Sequence, residues 1–226
     1  LFLVIGYVLH WPVARIAEVS LVTADGWRAF LAVDALQCLA VTLAVLQLLA
    51  LGARTRLQFL ALTLIACVTV VVMTPAVWRA DWGALLPAAL AAYMTPHGGS
   101  LFPVFPWSAY CLLGAGAGAI HVHLGHESTG RLSIRMLAAG GAAMLIASLV
   151  GSFAPWQPLG RTDFWSTSPN QFLLRAGLVC ITVALVAQVG GRISRLPAAL
   201  NALAQESLLV YVVHLCLVYG SPWNNG

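Results

Sequence analysis

The chain has 226 residues, of which 11 are Lys or Arg and 7 are Asp or Glu; 61% are hydrophobic and the mean hydropathy is +0.90. A soluble domain is about a quarter charged, so this composition excludes a soluble enzyme, a disordered segment and a disulfide-stapled secreted module, and leaves an all-α polytopic membrane protein. The net charge is +4, but every cation is an arginine and most stand at the ends of apolar runs, which points to membrane orientation and away from nucleic acid.

Crossing the hydrocarbon takes about 20 apolar residues at about 1.5 Å each. On that measure the sequence predicts seven spans, over 1–13, 29–53, 57–77, 105–124, 132–153, 170–190 and 205–220. The first begins at Leu1 inside an apolar run. The chain, read as one transmembrane domain over 1–226, is therefore expected to be a fragment lacking upstream spans. Residues 14–28 are polar enough to leave the membrane. In the long gap 78–104, the stretch from Trp82 to Met94 is too short to span and is broken by Pro87, which predicts an interfacial or re-entrant helix. Residues 191–204 predict an amphipathic cytoplasmic helix, with Ile193, Leu196, Leu200 and Leu203 opposite Arg192, Arg195 and Asn201. The five cysteines all lie in apolar runs without zinc spacing, so they are expected to be small buried hydrophobes.

Alternating the loops separates the charges. Arg54, Arg56, Arg131, Arg135, Arg192 and Arg195 fall on one side; Arg15, Arg28, Arg79 and Arg161 fall on the other with Glu18, Asp25, Asp81 and Asp163. The first side is cytoplasmic by the positive-inside rule. All eight tryptophans fall on the opposite side near span ends, as an aromatic belt does.

An ionisable group within hydrocarbon needs a partner, a wet cavity or a function. Asp34 is placed about one and a half turns into the second span, with Gln37 a turn further on. Arg175 is placed at similar depth in the sixth span, which makes the two candidate partners; a structural pair and a functional one fit equally. In the last span Ser207, Tyr211 and His214 share one helical face, a stripe that suits proton handling or interhelical hydrogen bonds. His10 sits near the outer end of the first run. Asp34, Arg175 and His214 are expected to meet around one small polar chamber. His97, in the Pro- and Gly-rich outer loop beside Trp107, could bind a substrate outside the membrane or be a solvated loop histidine. His123, His126 and Glu127 share a face at the inner end of the fourth span, but the spacing is no recognised zinc pattern and no metal is expected. Gly114, Gly116, Gly118, Gly140 and Gly141 are expected to let helices approach closely.

Four segments together carry a family resemblance: FLAVDALQCLAV (30–41), GGSLFPVFPWSAYCLLGAGAG (98–118), FLLRAGLV (172–179) and LAQESLLVYVVHLCLVYGSP (203–222). They resemble bacterial membrane proteins of the heparan-α-glucosaminide N-acetyltransferase catalytic-domain type, within the wider group of multi-spanning acyltransferases. The resemblance implies a helical bundle in the bacterial inner membrane. Such a bundle takes acetyl from cytoplasmic acetyl-CoA and delivers it to a sugar or other cell-envelope acceptor on the far side. Family members carry their principal catalytic histidine in a span upstream of the region that these segments cover, so His214, Arg175 and Asp34 are candidate catalytic-pocket residues in support of it. Tyr211, Ser207, Gln37, His97 and Trp107 are the candidate substrate contacts. Acyl transfer needs a base for the acceptor proton and donors for the carbonyl oxygen; His214 fits the first need, Arg175 and Tyr211 the second. Arg131, Arg135, Arg192 and Arg195 are candidates to meet the phosphates of CoA, as well as to fix orientation. Besides the bilayer and the acceptor, a second copy of the chain is a possible partner. The competing functions are a transporter or flippase, with the polar residues along a permeation route, and a non-catalytic membrane scaffold.

Overall fold

The computed structural model describes residues 1–13, 15–123, 129–153, 162–193 and 197–219, and the ordered elements among them are helices. Helix α1 is Phe2–Leu9. After a 3-10 turn at Ile16–Leu21, α2 (Ala24–Leu31) leads to α3 (Ala35–Gly52), which turns back into α4 (Arg56–Arg79). The outer loop holds two helical turns, α5 (Trp82–Leu85) and α6 (Ala88–Ala91), then a 3-10 turn at Pro96–Gly98. The remaining helices are α7 (Val104–His123), α8 (Thr129–Phe153), α9 (Pro169–Gly190), α10 (Ala198–Gln205) and α11 (Ser207–Tyr219).

Among the described residues four helices are long and apolar enough to cross a membrane: α3, α4, α8 from Gly130 to Phe153, and α9. Large side chains along them face outward, among them Leu51 (75% exposed), Ile65 (63%), Val150 (63%) and Val186 (66%). Water would not tolerate that much apolar surface, whereas acyl chains do. The protein is an integral membrane protein. The predicted span over 105–124 is α7, whose glycines, proline and terminal histidines lower its hydropathy. The run 1–13 holds the eight-residue α1.

Several helix starts carry a side-chain cap. Thr55 accepts from the Gln58 N–H at 3.1 Å and Ser168 from the Asn170 N–H at 3.2 Å, with Pro169 in the first helical position. α8 packs along α9, α4 along α7, and α1 and α7 against α3. The α8–α9 crossing is made by glycine: a Cβ on Gly141 would lie 2.8 Å from the Gly177 carbonyl oxygen, and one on Gly177 would lie 2.7 Å from that of Gly141. Gly116 lets α7 approach Leu60, Thr63 and Leu64 of α4, whereas Gly114, Gly118 and Gly140 face open space. Close packing therefore holds for some of the expected glycines and not for others. Between these layers lies a core of Cys67, Val71, Ala109, Leu112, Phe172 and Ala176.

One predicted element is corrected. The span over 29–53 is not continuous: Ala32 is extended, and the chain breaks over residues 32–34 between α2 and α3. The outer loop holds the break open. Ser100 Oγ accepts from the buried Val33 N–H at 2.9 Å and donates to the Ala92 carbonyl at 2.7 Å, while the Phe102 N–H reaches the Val33 carbonyl at 3.0 Å. The C-terminal segment also contains a break. The chain breaks at Glu206, leaving α10 with eight residues and α11 with thirteen.

Candidate functional site

Successive contacts draw one end of each main helix to a common face: His10 with Gln37, Val33 with Phe102, Trp78 with Phe105, Trp107 with Arg175, and Ser148 with Asn170. This is the face that the charge pattern assigns to the outside. Trp11, Trp27, Trp78, Trp82 and Trp107 gather towards it, with Trp11 and Trp27 both edge-on to Phe30.

At its centre stands Asp34, not inside a span but at the N-cap of α3. Its carboxylate accepts from the Ala35 N–H at 2.7 Å, and Gln37 Oε1 accepts from the Asp34 N–H at 3.2 Å, closing a capping box. The break at 32–34 is what makes Asp34 a cap. Gln37 is fully buried at 0% exposure, and it fits because residue 6 is glycine: a Cβ there would lie 2.7 Å from Gln37 Cδ. Because Gln37 Oε1 is already an acceptor, its other terminus is the amide donor, 3.3 Å from His10 Nδ1. A neutral His10 ring therefore accepts at Nδ1 and carries its proton on Nε2. That nitrogen faces Asp34 Oδ2 at 4.0 Å, the two side chains being 31% and 17% exposed. The separation exceeds direct hydrogen-bond reach, and a hydroxyl or water can bridge it from the side. Close by, the Tyr7 and Tyr93 hydroxyls meet at 2.9 Å. Burial first, then the bond to Tyr7, raise the Tyr93 phenol above its ordinary value, so it stays neutral.

Arg175 does not pair with Asp34. Among the described residues the ion pairs are His10–Asp34 and Arg28–Asp25. The Arg175 guanidinium instead stands over the Trp107 ring, 5.5 Å from its centroid, and Trp107 packs on Phe102 and Tyr110. Asp34 is held at the mouth of α3 by its own cap, while Arg175 lies six residues past the start of α9. Equal depth read along the chain did not put them together because the chain was not helical where it was counted.

The expected common chamber is also corrected. His214 is exposed on α11, whose main packing partner is α10, and Ser207 is exposed at the start of the same helix. The cavity beside Arg175 is bounded by α3, the outer loop, α7 and α9. Tyr211 is half-buried and has a partner of its own.

His97 lines an outer cavity of about 640 Å³ with Arg28, Arg79, Asp81, Trp82 and Thr95. Arg79 spends its Nε–H on the Pro75 carbonyl at 2.9 Å, and Trp82 its indole N–H on the Val77 carbonyl at 2.7 Å. At the opposite end, Arg54 and Arg56 line a cavity of about 490 Å³ with Phe59, Gly118 and Val122. The charge pattern used these two arginines only for orientation; that they border a cavity follows from how α4 meets α7, which no local motif signals. Arg131, Arg135 and Arg192 are exposed at the inner ends of α8 and α9. Near them His121 Nδ1 and Ser133 Oγ meet at 3.0 Å, tying α7 to α8. The His123 side chain, His126, Glu127, Arg195, Leu196, Trp156, Arg161 and Trp223 lie outside the described residues. Among the described residues no three His, Cys, Asp or Glu side chains gather as a metal site would need. His10 is the residue that the sequence pattern left without a partner; its signal was the coincidence of an outer-end histidine with the D-x-L-Q element on the next span.

A helical membrane bundle with a polar cluster at its outer face is the class these observations define. Residues 12–153, more than half of the chain, match the family model of the catalytic region of heparan-alpha-glucosaminide N-acetyltransferase, and the chain belongs to that family of membrane acetyltransferases. No curated protein and no solved structure matches it.

Proposed function

We propose that this chain is part of a bacterial inner-membrane enzyme that moves an acetyl group from cytoplasmic acetyl-CoA to a sugar or other envelope acceptor on the outer side. The family match over 12–153 is the observation that carries the reading. The seven-span arrangement, counted from α1 to α11 with the tryptophan-rich face outward, belongs to the same proposal. The acceptor enters over the outer cavity beside His97 and bridges His10 Nε2 and Asp34 Oδ2 with its hydroxyl or amine. Gln37 fixes the His10 ring, and Asp34 Oδ2 faces its Nε2 from the other side of the bridge. In the transfer the acceptor's nucleophile attacks the thioester carbonyl, a base takes its proton, and the CoA thiolate leaves. Arg54 and Arg56, with the exposed Arg131, Arg135 and Arg192, suit the phosphates of CoA on the inner side.

The test is transfer of radiolabelled acetyl from acetyl-CoA to a panel of sugars by the full-length protein in proteoliposomes. Label in an acceptor, reduced at least tenfold by Asp34→Asn in a folded variant, supports the reading. No transfer to any acceptor, or full activity in that variant, rejects it. Flux of a solute without any acyl donor would favour a transporter instead.

A further inference from the structure

We propose that the cavity between α3, α7 and α9 is a binding site for the phosphodiester head of a membrane lipid, held by Arg175 and Tyr110. The inference does not depend on acetyl transfer. The cavity encloses about 560 Å³, and its walls include Leu39, Phe102, Leu178 and Val179. Two groups in it lack what they need. Arg175 has no carboxylate partner among the described residues, and its stack on Trp107 leaves the positive charge uncompensated. The Tyr110 hydroxyl is buried without a hydrogen-bond partner, and its charged neighbour, Arg175, is a donor only, so the phenol proton has no acceptor.

A positive fork without a counter-charge and a phenol proton without an acceptor point to an oxyanion. Burying a donor without an acceptor is unfavourable, and an oxyanion would accept from both groups. The apolar walls define the rest of the ligand. Leu178 and Val179 are exposed on α9, one turn beyond Arg175, where the hydrocarbon of the outer leaflet lies. Arg175 sits about 9 Å along α9 from its outer end at about 1.5 Å per residue, within reach of a lipid head drawn slightly inward. A guanidinium takes a phosphate through two parallel N–H bonds, and the tyrosine adds a third donor.

The experiment uses the full chain, purified in detergent and stripped of lipid, and measures binding by native mass spectrometry and by the shift in thermal midpoint. Three probes separate head from chain: short-chain phosphatidylglycerol, the matching diacylglycerol, and inorganic phosphate. Saturable binding of phosphatidylglycerol, with both other probes at least about tenfold weaker, is expected. Arg175→Gln should weaken phosphatidylglycerol binding by about tenfold or more, and Tyr110→Phe by about threefold to tenfold. Arg15→Gln, at an exposed position away from the cavity, should leave it unchanged. Equal binding of diacylglycerol would overturn the proposal, and so would phosphate binding as tightly as the lipid, which would make the site one for a free anion. Should Arg175→Gln fail to fold, Tyr110→Phe decides: it removes one oxygen, and wild-type affinity in that variant overturns the assignment.

Discussion

The glycine crossing between α8 and α9 gives the sharpest test of the packing. In Gly141→Ala the new methyl group would stand 2.8 Å from the Gly177 carbonyl, 2.9 Å from Ile181 Cγ1 and 3.0 Å from Cys180 Cβ. Ordinary contact begins near 3.4 Å, so the helices must part by about 0.6 Å, and a radial gap of about 0.5–1 Å forfeits a quarter to a half of each dispersion well along the seam. Because backbone atoms are involved, no side chain can swing aside. Overpacking of this kind costs about 1–3 kcal/mol, which corresponds to a fall of roughly 2–12 °C in the thermal midpoint for a chain of this size. Gly177→Ala should behave alike, and the double variant should cost less than the sum, since one separation relieves both clashes. Gly140→Ala meets nothing within 4 Å and is the control; it should stay within about 1 kcal/mol of wild type. Thermal unfolding of the purified full chain in one detergent gives all four values. Gly141→Ala and Gly177→Ala as stable as Gly140→Ala would refute the crossing.

Other predictions concern the outer face. Gly6→Ala should displace the buried Gln37 and cost about 1–3 kcal/mol, read as a lower thermal midpoint; an unchanged midpoint would mean that α1 does not pack on Gln37. Gln37→Leu should cost about 1–3 kcal/mol by stripping both the Asp34 N–H and His10 of their partner, and in ¹⁵N spectra of labelled protein the His10 ring should lose its single tautomer. Ser100→Ala leaves the buried Val33 N–H without an acceptor, so the outer loop should become measurably faster to cleave by limited proteolysis, with Ser100→Thr intermediate. Asp34→Asn keeps a capping side chain and should hold stability to within about 0.5 kcal/mol, so a loss of acetyl transfer in that variant reports on chemistry and not on folding.

Much of the fold was legible because a bilayer imposes simple rules. Arginine asymmetry and tryptophan placement correctly grouped the ends of α3, α4, α7, α8 and α9, and Pro87 marked the interruption in the outer loop. What failed was continuity. Nothing in FLAVDALQ forbids a helix; the break at 32–34 exists because Ser100 and Phe102, far along the chain, take the Val33 backbone bonds that a helix would have used. That single tertiary override moved Asp34 from a buried charge to a cap and dissolved its expected pairing with Arg175. D-x-L-Q did carry the site, since a capping residue followed by Gln three positions on is a capping-box pattern, but hydropathy outweighed it. The stripe on α11 names a shared face, and a face says nothing about which neighbour it meets.

The tie between Val33 and Ser100 also bears on the order in which this protein is made. A ribosome feeds the N-terminal helices into the membrane first, so α3 is already inserted while residue 100 is still untranslated. Until then the Val33 backbone lacks both of its partners, Ser100 and Phe102, and the register of the α3–α4 hairpin stays open to revision. Completing the loop works as a late latch, fixing where α3 begins only after α4 has crossed back.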